Sequence, residues 1–208
     1  MPRPSTPLLS PERIRKVGLE IIDAEGLEAL SMRRLAQRLE VRAASLYNHV
    51  ATKEELLHEI ADEVMREVDT SGFAEDWTTG LRTWARSYRA ALAGHPNLVP
   101  FIAYGPARRD SALRAADAVH GGLTRAGWPQ RHATMIGAST KYLVIGSAMG
   151  SFSHGFPADA TVYTNRYPHL SQAHRLRDKA EEIDEASFEL ALTALIEGLQ
   201  VEHKHLTG

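Results

Sequence analysis

At 208 residues, 43% of them hydrophobic and 24% charged, the chain has the balance of an ordinary globular protein and enough length to bury a sizeable core. No cysteine is present, which excludes a disulfide framework and any Cys-ligated metal site and fits a reducing, cytoplasmic setting. A net charge of −2 argues on its face against nucleic acid, but the charges are unevenly spread. Between Ser31 and Lys53 stand Arg33, Arg34, Arg38, Arg42 and Lys53 against Glu40 alone, whereas Glu54 to Val68 is dominated by acids. A basic patch on an acidic protein is the pattern of a small DNA-reading head on a larger body.

Met1 to Leu9 holds three prolines and no apolar run, so it reads as a tail, disordered to about residue 10, and not as a signal peptide. Ser10-Pro11 is an N-cap followed by proline at the first helical position, and Ile14, Val17 and Ile21 repeat at helical spacing until Gly26. Ser31 caps a second helix whose Met32, Leu35, Ala36 and Leu39 form one apolar stripe. A third, short helix is expected from about Ala43 to Val50. Thr52 with Glu55 is a capping box that opens a fourth, to about Thr70.

Gly72 marks a boundary. Beyond it longer helices are expected at about Asp76–Gly94, Arg109–Ala126, Pro129–His154 and Asp184–Lys204, with a C-cap at Gly127. Phe156 to Pro168 reads as a long loop without periodicity, and strand signals are nearly absent. The longest uncharged stretch, Tyr142 to Ser153, falls well short of the roughly 20 apolar residues of a membrane span, so a soluble protein with no membrane partner is expected. The pattern predicts an all-α protein: a tail over 1–10, a three-helix head with its connecting helix over 11–70, and a helical body over 71–208.

On a helical wheel the third helix turns Ala43, Leu46 and Val50 inward and Ala44, Ser45 and Asn48 outward, with Arg42, Tyr47 and His49 at the rims. Small outward residues let a backbone sit deep in the major groove. Asn48 can pair with an adenine edge and Arg42 with a guanine edge, while Tyr47, His49 and Lys53 suit phosphates. Glu40-Val41 is then the tight turn of a helix-turn-helix. The competing interpretation is a generic three-helix bundle with its arginines on a solvated face.

Leu30 to Leu57, LSMRRLAQRLEVRAASLYNHVATKEELL, closely resembles the head of the tetracycline-repressor (TetR) family, in Leu35-Ala36, Val41, Leu46-Tyr47, His49 and Lys53. The resemblance implies that Arg33 on the second helix, and Ala43, Ala44, Ser45, Tyr47, Asn48 and His49 on the third, approach DNA. Lys53 is implied to hold a phosphate. Two residues depart from the family pattern: Glu40 stands where glycine is usual, and Asn48 where a bulky aromatic is common. The first makes a positive-φ turn less comfortable. The second means that the type protein's operator does not carry over.

In the body, Leu81, Trp84, Tyr88 and Leu92 form a stripe at helical spacing, and Met135, Tyr142 and Met149 repeat every seventh residue. Ser139, Gly146, Gly150 and Ser153 form a band of small residues that suits a helix–helix interface, with Phe188, Leu192, Leu195 and Leu199 spaced to pack beside it. Ser87-Tyr88-Arg89, Gly127-Trp128-Pro129 and Ala194 to Leu199 resemble the tetracycline repressors themselves. That subgroup implies a homodimer on the two long helices and a ligand in the body. Its magnesium–tetracycline site does not carry over, because Trp84 and Ile102 stand where a polar amide and a metal-binding histidine belong. Candidate ligand contacts are Trp84, Tyr88, Phe101, Tyr104, Tyr142 and Met149, for a largely apolar small-molecule effector. Plain core packing is the competing account of all six.

No metal, cofactor or catalytic residue is expected. His58-Glu59-Ile60-Ala61-Asp62 misses the zinc-protease motif by its second histidine; His169 and His174 are out of phase on a helix; His203 and His205 sit at an end prone to fray. The chain thus reads as a transcriptional repressor, not an enzyme, which binds double-stranded DNA at a near-palindromic operator and is released by a small molecule. The alternatives are a helical enzyme or binding module without DNA binding, and an activator on the same scaffold. The first would show no salt-dependent shift of DNA fragments.

Overall fold

The computed structural model describes residues 9–104, 110–163 and 166–207, and among these there is no strand. The chain divides into two compact units, residues 1–68 with 91–116, and residues 69–90 with 117–208. The N-terminal tail falls almost wholly outside the described residues.

The first unit opens with α1 (Pro11–Glu25), α2 (Met32–Leu39), α3 (Ala43–Leu46) and α4 (Lys53–Met65). The three capping residues expected from sequence are in place: Ser10 Oγ accepts from the Arg13 N–H at 3.3 Å, Ser31 Oγ from Arg34 at 3.1 Å, and Thr52 Oγ1 from Glu55 at 3.0 Å. The Glu55 carboxylate reaches back to the Ala51 N–H at 2.9 Å, completing a reciprocal box at the corner between α3 and α4. Ile14, Ile21, Leu35, Leu39, Leu46, Leu56 and Ile60 are buried and form the core. Each contributes about 1.5–3 kcal/mol relative to exposure. α6 (Val99–Tyr104) buries Val99 and Ile102, and the preceding turn is tied to α1, with Asn97 Nδ2 donating to the Ile22 carbonyl at 3.0 Å.

Glu40 sits in the left-handed region at φ 58°, ψ 38°. Its neighbour Val41 donates to the Ala36 carbonyl at 3.0 Å, the closing bond of a helix end that glycine normally serves. A Cβ costs about 1–2 kcal/mol there, and glycine gives back roughly half through its looser unfolded chain. Glu40→Gly is therefore expected to raise stability by about 0.5–1 kcal/mol in denaturant titration. A loss of stability would show that the Glu40 side chain contributes more than its backbone costs.

Several elements differ from the sequence-based expectation, among them the helix expected from Pro129 to His154, which ends at Ala148 and is followed by a separate 3₁₀ turn over Phe152–Gly155. The third helix is α-helical only to Leu46 and continues as a turn over 47–49, where Tyr, Asn and His are weak helix formers. The fourth ends at Met65 and not near Thr70, and the chain beyond is held by Asp69, which donates its N–H to Ser87 Oγ at 2.9 Å and accepts from Ser71 at 2.8 Å. The loop after Phe156 is not featureless: short 3₁₀ turns occupy Ala160–Val162, Pro168–Leu170 and Ala173–Lys179. They rest on local bonds such as Asp159 accepting from the Thr161 N–H at 2.8 Å.

The second unit holds residues of α5 (Trp77–Gly94), α7 (Asp110–Arg125), α8 (Gln130–Ala148) and α9 (Ala180–Thr207). The Phe73 ring lies so close to Gly80 of α5 and Gly122 of α7 that a Cβ on either would come within 2.3 and 2.4 Å of it. Only glycine admits that approach. Arg86 of α5 makes two 2.7 Å bonds to the Glu189 carboxylate of α9, and Arg89 pairs with Glu185. The hydrogen bond from Arg86, opposed by burial, holds the Glu189 carboxyl below its ordinary value. α9 does not fray at His203: the ring lies 4.8 Å from Trp128 between centroids, and its Nε2 is 2.8 Å from the Ala126 carbonyl. Gly127, at φ 96°, supplies the expected C-cap of α7.

Candidate functional site

The first unit assembles the residues named for DNA. α3 buries Leu46, and Val50 is buried just beyond, so the opposite side faces out. There Ala44, Tyr47, Asn48 and His49 are exposed, with Ala43 and Ser45 half-buried between the two sides. Arg42 is exposed at the N-cap of α3, Arg33 is exposed on α2, and Lys53 is half-buried at the first residue of α4. Tyr47 is 54% exposed, unusual for a ring that packing could use.

Ion pairing separates these cations from their neighbours. Arg34 is spent on Glu25, reaching both carboxylate oxygens at 2.8 and 3.0 Å. Arg15 is drawn to Glu59 and Glu63 of α4 at 3.4 and 3.6 Å. Among the described residues, Arg33, Arg38, Arg42 and Lys53 have no acidic partner, so their charge stays open to an anion. Arg38 was not singled out from sequence. The signal for it is that Arg34, its neighbour on α2, is taken up by Glu25, whereas Arg38, like Arg33, is exposed and meets no acid among the described residues.

The six ligand candidates do not gather within either unit. Trp84 and Tyr88 are buried neighbours on α5 in the second, their rings 6.2 Å apart. Tyr142 is exposed on α8, and Met149, also exposed, lines an open groove of about 550 Å³ with Leu143, Phe152, Asp184 and Phe188. In the first unit Phe101 packs on the His58 ring at 5.1 Å, and Tyr104 is exposed at the end of α6. Trp84 carries a further feature: its indole N–H is buried with no hydrogen-bond partner.

The outer sides of α8 and α9 remain apolar and uncovered. Met135, Tyr142, Leu190 and Val201 are each more than half exposed. Ser139, Gly146 and Gly150 of the small-residue band are exposed too, whereas Ser153, past the end of α8, is buried. No helix among the described residues is long and apolar enough to cross a membrane.

The chain is similar to known proteins over most of its length. Residues 14–60 match the model of bacterial regulatory proteins of the tetR family, and residues 73–203 that of the tetracyclin repressor-like C-terminal domain. An HTH-type transcriptional regulator of Saccharopolyspora erythraea is 33% identical over 144 residues, covering 68% of this chain and 60% of that protein's length. Tetracycline repressor protein class E of Escherichia coli is 26% identical over 203 residues, 95% of each chain. The structure of the Streptomyces coelicolor TetR family protein ActR in complex with actinorhodin superposes with a TM-score of 0.73 at 27% identity, covering 95% of this chain and 99% of that one.

Proposed function

This chain belongs to the TetR family of bacterial regulators, and we propose that it is a dimeric transcriptional repressor released from operator DNA by a small molecule. The observation that carries the DNA half is the exposed side of α3, small or hydrogen-bonding throughout, with unpaired cations at Arg33, Arg42 and Lys53. Arg42, Ser45 and Asn48 touch bases; Arg33, Tyr47, His49 and Lys53 fix register on phosphates. Ala43 and Ala44 keep the surface low enough for the groove.

One such head makes few contacts, so two act together. Uncovered apolar residues on α8 and α9 support a two-fold homodimer on those helices, reading a near-palindrome with half-sites about one helical turn apart. A Cβ at Gly146 meets nothing within 4 Å in the chain itself. Gly146→Leu is therefore expected to leave the single-chain fold intact and shift the dimer toward monomer in sedimentation. Wild-type protein that sediments as a monomer at micromolar concentration would refute the dimer.

The effector is organic and largely apolar, and the Trp84–Tyr88 pair of the second unit, where the buried indole N–H of Trp84 has no hydrogen-bond partner, is its candidate contact. That a relative of this fold has been solved with actinorhodin supports an organic ligand. The magnesium–tetracycline site is not assigned to this chain, because Trp84 and Ile102 stand where a polar amide and a metal-binding histidine belong. The test of the whole reading is a salt-dependent shift of DNA fragments by the purified protein, reversed by an organic extract and not by chelation of metal.

A further inference from the structure

The segment His58 to Asp62, a failed zinc motif in sequence, has a different use in the first unit. His58 and Asp62 lie one turn apart on α4. The His58 ring meets Phe101 of α6, and the Asp62 carboxylate meets the start of α7. Asp62 Oδ1 accepts from the Ser111 N–H at 3.0 Å and from its hydroxyl at 2.6 Å, while Oδ2 accepts from Arg66 Nη2 at 3.1 Å. Ser111 is buried and is the second residue of α7, so its N–H is one of the donors that a helix cannot satisfy internally. Asp62 caps α7 from another helix and places negative charge at that helix's positive end. Burial works to raise the Asp62 carboxyl, but the bonds from Ser111 and Arg66 outweigh it and hold it below its ordinary value.

We propose that the Asp62–Ser111 cap is the contact through which α7 sets the orientation of α4 and so the DNA affinity of the head; the proposal rests on reading the chain as a DNA-binding regulator. Two features give the cap that reach. α4 follows α3 through a corner stiffened by the Thr52–Glu55 box, so a tilt of α4 is passed to Tyr47 and Asn48. α7 runs unbroken from Asp110 to Arg125, and from Asp117 onward its residues belong to the second unit. When α7 shifts, either Asp62 follows or Ser111 is left with a buried N–H and hydroxyl unpaired. The second outcome carries the full desolvation cost of two polar groups, so Asp62 follows.

The test uses the full-length protein and the genomic DNA fragment that wild type retains, with affinity measured well below the unfolding temperature. Ser111→Ala removes the hydroxyl bond, and Asp62→Ala removes both; each is expected to weaken DNA binding about tenfold. Ser111→Thr keeps the hydroxyl and is expected to bind like wild type. The double variant is expected to be no weaker than Asp62→Ala, because one shared contact is lost once. Arg66→Ala, which breaks an exposed ion pair and leaves the cap intact, is expected to bind like wild type. Variants that melt earlier yet bind DNA as wild type does would make the cap merely structural and overturn the proposal alone. Wild type that retains no DNA would overturn the regulator reading and the proposal with it.

Discussion

Asn48→Ala is expected to lose about 1–3 kcal/mol of operator affinity and to tolerate any base at one position of each half-site. Asn48 is exposed, beside the unpaired Arg42 and opposite the buried Leu46, so its amide is free to pair with a base edge. Lys53→Ala is expected to behave differently. Its ammonium carries no base information, so the loss should be uniform across sequences and lower the salt slope by about one unit. A binding series across every single-base substitution of the operator separates the two. If both variants weaken all sequences alike, Asn48 positions the head and does not read it. If both bind as wild type does, the interface lies elsewhere.

Operator DNA is expected to weaken effector binding by the same factor by which effector weakens DNA binding. A switch from 1:99 to 99:1 between released and DNA-competent forms takes about 5.5 kcal/mol of differential affinity, so the reciprocal effect is large. The connecting helix α4 is the element that can carry it, since it is joined directly to the recognition segment. Calorimetry with any compound that releases the protein from DNA measures both arms. Equal affinity of free and operator-bound protein for that compound would sink the coupled switch and leave direct competition at the DNA surface.

What was legible from sequence had a local cause. Ser10, Ser31 and Thr52 act on the residue three positions ahead, and a left-handed residue before Val41 follows from packing two short helices around a tight turn. The exposed side of α3 follows from helical spacing around Leu46 and Val50. What was illegible depends on residues far apart in the chain. Nothing in the sequence near Phe73 marks Gly80 and Gly122 as its two flanks, and neither glycine has a φ that would betray it. Asp62 gives no sign that its partner is Ser111. His203 looked like a fraying terminal residue because the carbonyl and indole that hold it, at Ala126 and Trp128, come from another corner of the unit. Tyr142 and Met149 have the spacing of a buried stripe but are exposed, because spacing fixes which side of α8 they share and not what covers it.

The most direct measurement is retention of fragmented genomic DNA by the wild-type protein across a salt series. A small set of fragments is expected, each carrying a near-palindrome with half-sites about one helical turn apart, and bound with an affinity that falls linearly in log–log against salt. Retention no greater than a protein-free control at low salt, or binding without sequence preference or salt dependence, would contradict the assignment of α3 and its cations as an operator-reading surface.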